Sequence, residues 1–399
     1  MKAQKGTKMN KGKYVFRQMC EFLPRDSFEW YVKKYKGNAR IRTFSCYQHL
    51  LVMVLGQLWQ CRSLGVLVNV LNSLGSALYQ MGIGKRVSKS TISDANSNRD
   101  CRIFEEMANL MIKIARGKRQ GKCSDKFLDD KDVYAFDSST ISLSLGLFKW
   151  SKLHHDKGGI KMHTLYEVKT DIPSMVYISD ASLHDSKAMP MITYESGAYY
   201  VFDRAYMALF NLFAIHQVGA YFVVREKRNM RFNVVEDKYY NNPDSGILAD
   251  QLIEFTGYLT HKRYPEVLRR IVFYDVEGSR RFVFYTNNLS VTAEAIALLY
   301  KYRWRVELFF KWIKQHLHVK EFYGNSENAV KIQIFCAIIM YCLVAIIEHD
   351  MQLNMSIYSV IQILSASAVT KTPLAELFEN SKMSAKEEAD EGVQYLLEF

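Results

Sequence analysis

The chain of 399 residues is 49% hydrophobic and 13% aromatic, which suits a globular protein of two or three domains and excludes extensive disorder. Its net charge of +12 is unevenly placed: residues 1–124 hold 23 Lys and Arg against 7 Asp and Glu, and the remainder holds 30 against 34. All the positive excess therefore lies in the first third, as expected of a polyanion-binding region, although a solvated basic face would read the same way.

Seven cysteines with no CxxC pair fit a reducing compartment and no structural zinc. The Lys-rich start lacks the apolar stretch of a signal peptide, so a cytoplasmic protein is expected. Residues 1–12 read as a polar arm, and the pattern from Val15 to about Arg119 is helical. Within it, the hydroxyls of Val87–Asp94 can cap a helix and contact phosphates, with Lys89 and Arg99 close by; a recognition helix and an ordinary capped helix both fit. Gly117–Lys122 reads as a linker.

Beyond it, strand and helix signals alternate. Strands are predicted at 132–136, 161–169, 175–180, 199–202 and 220–225, with a helix from Tyr206 to Gln217. Together they predict a mixed sheet covered by helices. Residues 227–288 turn largely β, with a hairpin predicted from Ile271–Val276 and Arg281–Tyr285 around Glu277-Gly278. Helical periodicity returns from Thr292 to Leu317. Ser326 is placed to cap a helix containing the 14-residue apolar run Ile334–Ile347, short for a membrane span and suited to a buried core. A short helix is expected after Thr372-Pro373, before an acidic group at Glu387, Glu388, Asp390 and Glu391.

Three carboxylates stand out. Val133–Phe136 and Tyr199–Phe202 are apolar runs followed by Asp137 and Asp203, and a helical stretch carries Glu307 beside Arg303 and Arg305. Carboxylates on a rigid frame hold hard divalent cations and leave positions open for a phosphate. At about 100° per residue, Tyr300, Arg303, Glu307 and Lys314 share a stripe about 60° wide. It lies beside an apolar seam of Ile296, Leu299, Val306, Phe310, Ile313 and Leu317. A bland alternative exists for each: an i,i+4 surface ion pair for Arg303 and Glu307, and turn or cap residues for the aspartates. His154, His155, His163 and His184 lack zinc spacing, and neither a G-x-S-x-G nor a P-loop is present.

With these residues in place, the sequence resembles the DDE transposases of bacterial insertion sequences, specifically the insertion-sequence-4 group. Tyr300, Arg303, Glu307 and Lys314 match its Y-x2-R-x3-E-x6-K signature. Asp203-Arg204-Ala205-Tyr206 resembles its second-aspartate motif, with Ala205 in place of the usual Gly, and Phe136–Thr140 resembles the first. Lys161-Met162-His163 and Leu183-His184-Asp185 resemble segments that recur between the two.

The resemblance implies an α/β fold: a ribonuclease-H-like catalytic domain with a β-rich insertion, preceded by a basic all-α DNA-binding domain. The corresponding divisions are 1–124 for the DNA-binding region and 125–226 for the first catalytic part. The insertion takes 227–289, the second catalytic part 290–350, and a helical and acidic tail 351–399. It implies that Asp137, Asp203 and Glu307 are the catalytic carboxylates and hold two Mg²⁺ ions about 3.5–4 Å apart, with Mn²⁺ able to substitute. Tyr300, Arg303 and Lys314, joined by Lys311, are assigned to gripping DNA phosphates.

The implied partners are double-stranded DNA, as element ends and as target, and a second copy in a synaptic dimer, with no membrane. Some relatives close a hairpin and hold a flipped base with a Trp from the insertion; residues 227–288 contain no Trp, though Phe or Tyr would stack as well. The implied function is cut-and-paste transposition. A nuclease of the same fold without strand transfer, or a non-catalytic DNA-binding derivative, are the alternatives.

Overall fold

The structure, a computed structural model, describes residues 12–121, 125–144, 146–148, 150–154, 157–227, 230–238, 245–276, 278–316 and 322–379. Residues 1–11 of the expected arm at 1–12 lie outside them, as do Lys122 of the expected linker, His155, Glu277, Leu317 and the expected acidic group at 387–391. By compactness the chain forms two units, one of Met1–Arg119 with Ile313–Phe399 and one of Gln120–Trp312. The cut at Arg119 falls inside the glycine-flanked stretch read as a linker.

The first unit is helical among the described residues. Its centre is the helix Glu327–Asp350, started by Ser326, whose hydroxyl accepts from the Ala329 amide at 3.1 Å. The helix is long and apolar enough to cross a membrane, yet 94% of its apolar window is buried inside the protein. A helix apolar on every side needs such a shell, here supplied by Cys46–Leu58 and Arg102–Arg119. The first of these opens with a complete capping box between Ser45 and Gln48. Arg119 and Glu348 form a buried ion pair at 2.7 Å where the apolar stretch ends.

The helix Lys89–Asn98 begins as its hydroxyls suggested, with Ser88 accepting from the Thr91 amide. Arg99 departs from expectation. It is buried and donates to the carbonyls of Phe44 and Ser45, so it fastens the fold rather than facing a phosphate.

The second unit is built on a ten-stranded mixed sheet. The strands are β1 (Val133–Leu143), β2 (Lys152–His154), β3 (Lys157–Glu167), β4 (Ile172–Asp180), β5 (Tyr199–Phe202), β6 (Tyr221–Arg225), β7 (Phe232–Lys238), β8 (Ile247–Phe255), β9 (Leu268–Asp275) and β10 (Arg280–Thr286). Strands β4, β3 and β1 are antiparallel neighbours, and β5 and β6 then follow β1 in parallel. Past β6 the sheet continues antiparallel through β10, β9, β8 and β7. The expected hairpin of β9 and β10 is present, and β10 welds the β-rich stretch onto the same sheet.

Alternate side chains settle the two faces. Tyr134, Phe136, Tyr200, Phe202, Phe222 and Val224 join Leu212 and Ile215 of the helix Leu209–Gln217 in one buried cluster. That helix starts later than predicted. Tyr206 ends a 3-10 turn, its ring 5.2 Å from Phe136 and 5.9 Å from Phe202, and this packing holds the chain until Leu209. Ala135 and Val201 point to the other face, toward which Asp137 and Asp203 continue the alternation.

Removing one member of a buried ion pair strands the other. Glu348→Ala is therefore expected to cost about 3–5 kcal/mol in urea denaturation, and the double replacement Arg119→Met with Glu348→Leu much less. Equal losses in both variants would show that the pair itself holds this unit together.

Candidate active site

Strand β1 does not stop at Asp137. It runs on to Leu143 because β3 keeps pairing with it, from Asp137↔Thr164 to Leu143↔Gly158. The parallel ladder to β5 covers Val133↔Tyr199 through Phe136↔Phe202 and no further. Asp137 and Asp203 thus each directly follow the last paired residues of this ladder, and the side chain of neither caps a helix or turn. Asp203 precedes the 3-10 turn Arg204–Tyr206 without a side-chain capping bond. Asp137 lies within a continuous strand and accepts from the Ser138 amide at 2.8 Å.

The glutamate segment is two helices rather than one. Ala293–Lys301 and Trp304–His316 meet at Tyr302-Arg303, where the Arg303 amide reaches the Tyr300 carbonyl and the Val306 amide the Arg303 carbonyl. These i to i+3 bonds tighten the turn. The predicted seam survives the break, with Ile296, Leu299, Val306, Phe310 and Ile313 all buried. Lys311 and Lys314 follow Glu307 by about one and two turns; Lys311 is exposed and Lys314 half-buried.

The junction joins the carboxylates. Arg303 Nη1 lies 2.5 Å from Glu307 Oε1 and 3.4 Å from Asp137 Oδ2. The Tyr300 hydroxyl donates to Asp203 Oδ1 at 3.2 Å, and its ring rests on Phe284, with centroids 4.5 Å apart. Arg303 stacks over the same ring at 5.5 Å. Tyr300 and Arg303 therefore face carboxylates here, while Lys311 projects outward.

Burial pushes the Asp137 carboxyl up to about 6, with the Glu307 and Asp203 charges adding to the rise and the Ser138 amide and Arg303 opposing it. Burial likewise lifts the Tyr300 phenol to about 12. For Arg303 burial works against the charge, but Tyr300, Glu307 and Asp137 outweigh it and raise its pKa.

One set of neighbours carried no assigned role in the sequence. Asp185 accepts from the Ser138 hydroxyl at 2.6 Å and pairs with Lys161 at 2.9 Å, while Lys161 also donates to the Leu183 carbonyl. This network braces the residue next to Asp137. Its only sequence signal was the pair of segments around Lys161 and His184-Asp185. His163, in the first of them, bonds Ser179 and stacks between Phe136 and Tyr177, as a structural histidine does.

Among the described residues no group of three His, Cys, Asp or Glu side chains is close enough to hold a metal ion. Arg303 brings positive charge to the carboxylates, and its buried Nε has no hydrogen-bond partner among the described residues. The donor set still fits Mg²⁺ or Mn²⁺: hard carboxylate oxygens, two of them fixed side by side on a sheet, whose mutual repulsion a cation would relieve.

The transposase DDE domain family matches residues 128–343, a span that includes all three carboxylates. The chain belongs to the DDE transposase family. The transposase is 33% identical over 270 residues to a protein of Sinorhizobium fredii named as a transposase, covering 67% of this chain and 73% of that one. It is 31% identical over 236 residues to the protein named as transposase for insertion sequence element IS5377 of Geobacillus stearothermophilus, covering 59% and 61%. For insertion sequence element IS4SA of Synechocystis the figures are 26% over 269 residues, 66% and 73%.

A second family, described only as a domain of unknown function, matches residues 11–84. Among solved structures, the synaptic complex of piggyBac transposase with hairpin DNA aligns over 94% of this chain and 83% of that one, at TM-score 0.45 and 9% identity. Family membership makes the transposase an enzyme of DNA cleavage and strand transfer, the first of the three functional readings of the sequence.

A raised Asp137 pKa has a stability consequence of definite sign. Between the ordinary value of 3.8 and the folded value of about 6 the native state binds the extra proton, so stability falls as pH rises through that window. In the metal-free protein, Asp137→Asn is expected to raise unfolding free energy at neutral pH by about 1–3 kcal/mol and to leave it unchanged below pH 4 or so. Destabilisation at neutral pH would contradict this.

Proposed function

We propose that this transposase binds the terminal inverted repeats of its insertion sequence, cleaves there and joins the freed ends to target DNA. In this reading Asp137, Asp203 and Glu307 hold two Mg²⁺ ions, with Mn²⁺ able to substitute. Bound metal would supply Lewis-acid polarisation of the scissile phosphate and a more acidic attacking water or 3′-hydroxyl. The observation that carries the reading is that Asp137 and Asp203 each follow directly on the Phe136↔Phe202 pair of neighbouring strands, with Glu307 tied to Asp137 through Arg303.

The residues around the triad take definite roles. Arg303, turning from Glu307 and Asp137, reaches a phosphate oxygen with charge-assisted bonds, and its unpartnered Nε supplies a further donor. Tyr300 holds Asp203 in place through its hydroxyl and is itself held by Phe284. Lys311 and Lys314 neutralise the backbone flanking the scissile bond.

The strand order supports a ribonuclease-H-like core of three antiparallel strands followed by two parallel ones. On this reading residues 125–226 and 290–350 are its two parts, and 227–289 an insertion that extends the sheet. Residues 1–124 form the DNA-binding region, and the tail from 351 lies outside the chemistry. Two ends must be joined in one event, so the working form is a dimer on double-stranded DNA, acting in the cytoplasm.

The test is Mg²⁺-dependent cleavage of DNA carrying the element's own ends. Glu307→Gln is expected to lower the rate by about a thousandfold, since several kcal/mol of charge stabilisation depend on bound metal, and EDTA should silence the wild type. Undiminished cutting by the variant would remove Glu307 from the site. Cutting without joining of a pre-cut end would leave a nuclease.

A further inference from the structure

The helical unit carries a groove beside the helix offered by the sequence as a recognition helix, lined by Lys36, Arg40 and Arg42 and also by Asp94 and Asp100. It encloses about 690 Å³ between the loop 35–44 and the helix Lys89–Asn98. Lys36, Arg40 and Arg42 stand on the loop, exposed, and form no ion pair among the described residues. Lys36 and Arg40 adopt left-handed backbone angles, φ 54° and 61°, which a non-glycine residue holds only when its surroundings enforce them.

The surroundings do so. The Asn38 side chain accepts from the Cys46 amide at 2.7 Å, and Gly37 lies where a Cβ would run into Ile103 and Cys46. Arg99, at the end of the helix, donates to the carbonyls of Phe44 and Ser45 and so fixes one wall of the groove to the other. On the helix, Ile92, Ala95 and Asn96 are buried. Ser90, Asp94, Ser97 and Asn98 form an exposed stripe of short hydrogen-bonding side chains. Lys85, Arg86 and Lys89 stand exposed at its start.

We propose that this groove is a duplex-DNA site in which Lys36, Arg40 and Arg42 grip phosphates while the exposed stripe of Lys89–Asn98 reads base edges. The inference rests on the transposase reading and names the surface by which the ends are recognised. Unpaired cations on a rigid loop release counterions when they meet phosphates and lose little entropy doing so. Short Ser, Asn and Asp side chains are the kind that donate to and accept from base edges, Asn pairing with adenine in particular. The loop and its cations lie in the stretch matched by the domain family of unknown function, and on this proposal that domain serves DNA recognition.

Fluorescence anisotropy of the full-length protein on two labelled duplexes tests it, one carrying the element's terminal repeat and one a shuffled sequence of equal composition. Arg40→Ala with Arg42→Ala is expected to weaken binding to both by roughly ten- to a hundredfold and to reduce the slope of log affinity against log salt by about two. Arg40→Lys with Arg42→Lys keeps the slope, which separates lost charge from lost folding. Asn98→Ala is expected to shrink the preference for the terminal duplex by roughly tenfold while leaving the slope alone.

Unchanged affinity and slope in the double alanine variant would overturn the groove, and would leave the active site untouched if the wild type still cuts. Equal binding of single-stranded RNA would overturn the assignment to duplex DNA.

Discussion

Two carboxylates held close together just past a shared strand ladder repel each other, and the second unit is arranged around keeping Asp137 and Asp203 there. The ladder from Val133↔Tyr199 to Phe136↔Phe202 sets their register. A slip of one residue on either strand would turn one aspartate into the aromatic cluster. The rings of Tyr134, Phe136, Tyr200 and Phe202 make that slip costly, since each fills the buried face beneath. Burial that secures the register also raises the Asp137 pKa. The charge repulsion is met by Arg303 and Tyr300, delivered from the tightened turn between two helices.

Stability and chemistry therefore pull against each other at one point. An ionised carboxylate in a part-buried place costs folding free energy, and it stays because the reaction needs it. Arg303 moderates that cost in the metal-free protein by lying between Asp137 and Glu307, where the cation of the reaction would be needed. The brace of Asp185, Lys161 and Ser138 keeps the neighbouring backbone from relaxing away.

Much of this was legible in the sequence, for physical reasons that can be named. The strand Tyr199–Phe202 was read to the residue because four apolar side chains end on an aspartate. The buried helix was recognised by its all-round apolarity and its serine cap. The break at Tyr302-Arg303 was hidden, because a shift from i+4 to i+3 bonds leaves the apolar seam intact. So was the run of β1 past Asp137, which depends on pairing with β3 rather than on its own Ser-rich residues. Arg99 looked like a phosphate ligand by its neighbours in sequence and is a core fastener by its neighbours in space. The groove cations Lys36, Arg40 and Arg42 sit in a loop with no periodicity to draw notice.

The most direct test of the central claim is the position of metal in a crystal of the DNA-bound transposase soaked with Mn²⁺, read from anomalous scattering. The expected result is density bounded by Asp137, Asp203 and Glu307, with the Arg303 guanidinium withdrawn from between the carboxylates and turned to phosphate. Mn²⁺ bound elsewhere, with Arg303 still bridging Asp137 and Glu307 in a complex competent to cleave, would contradict the account.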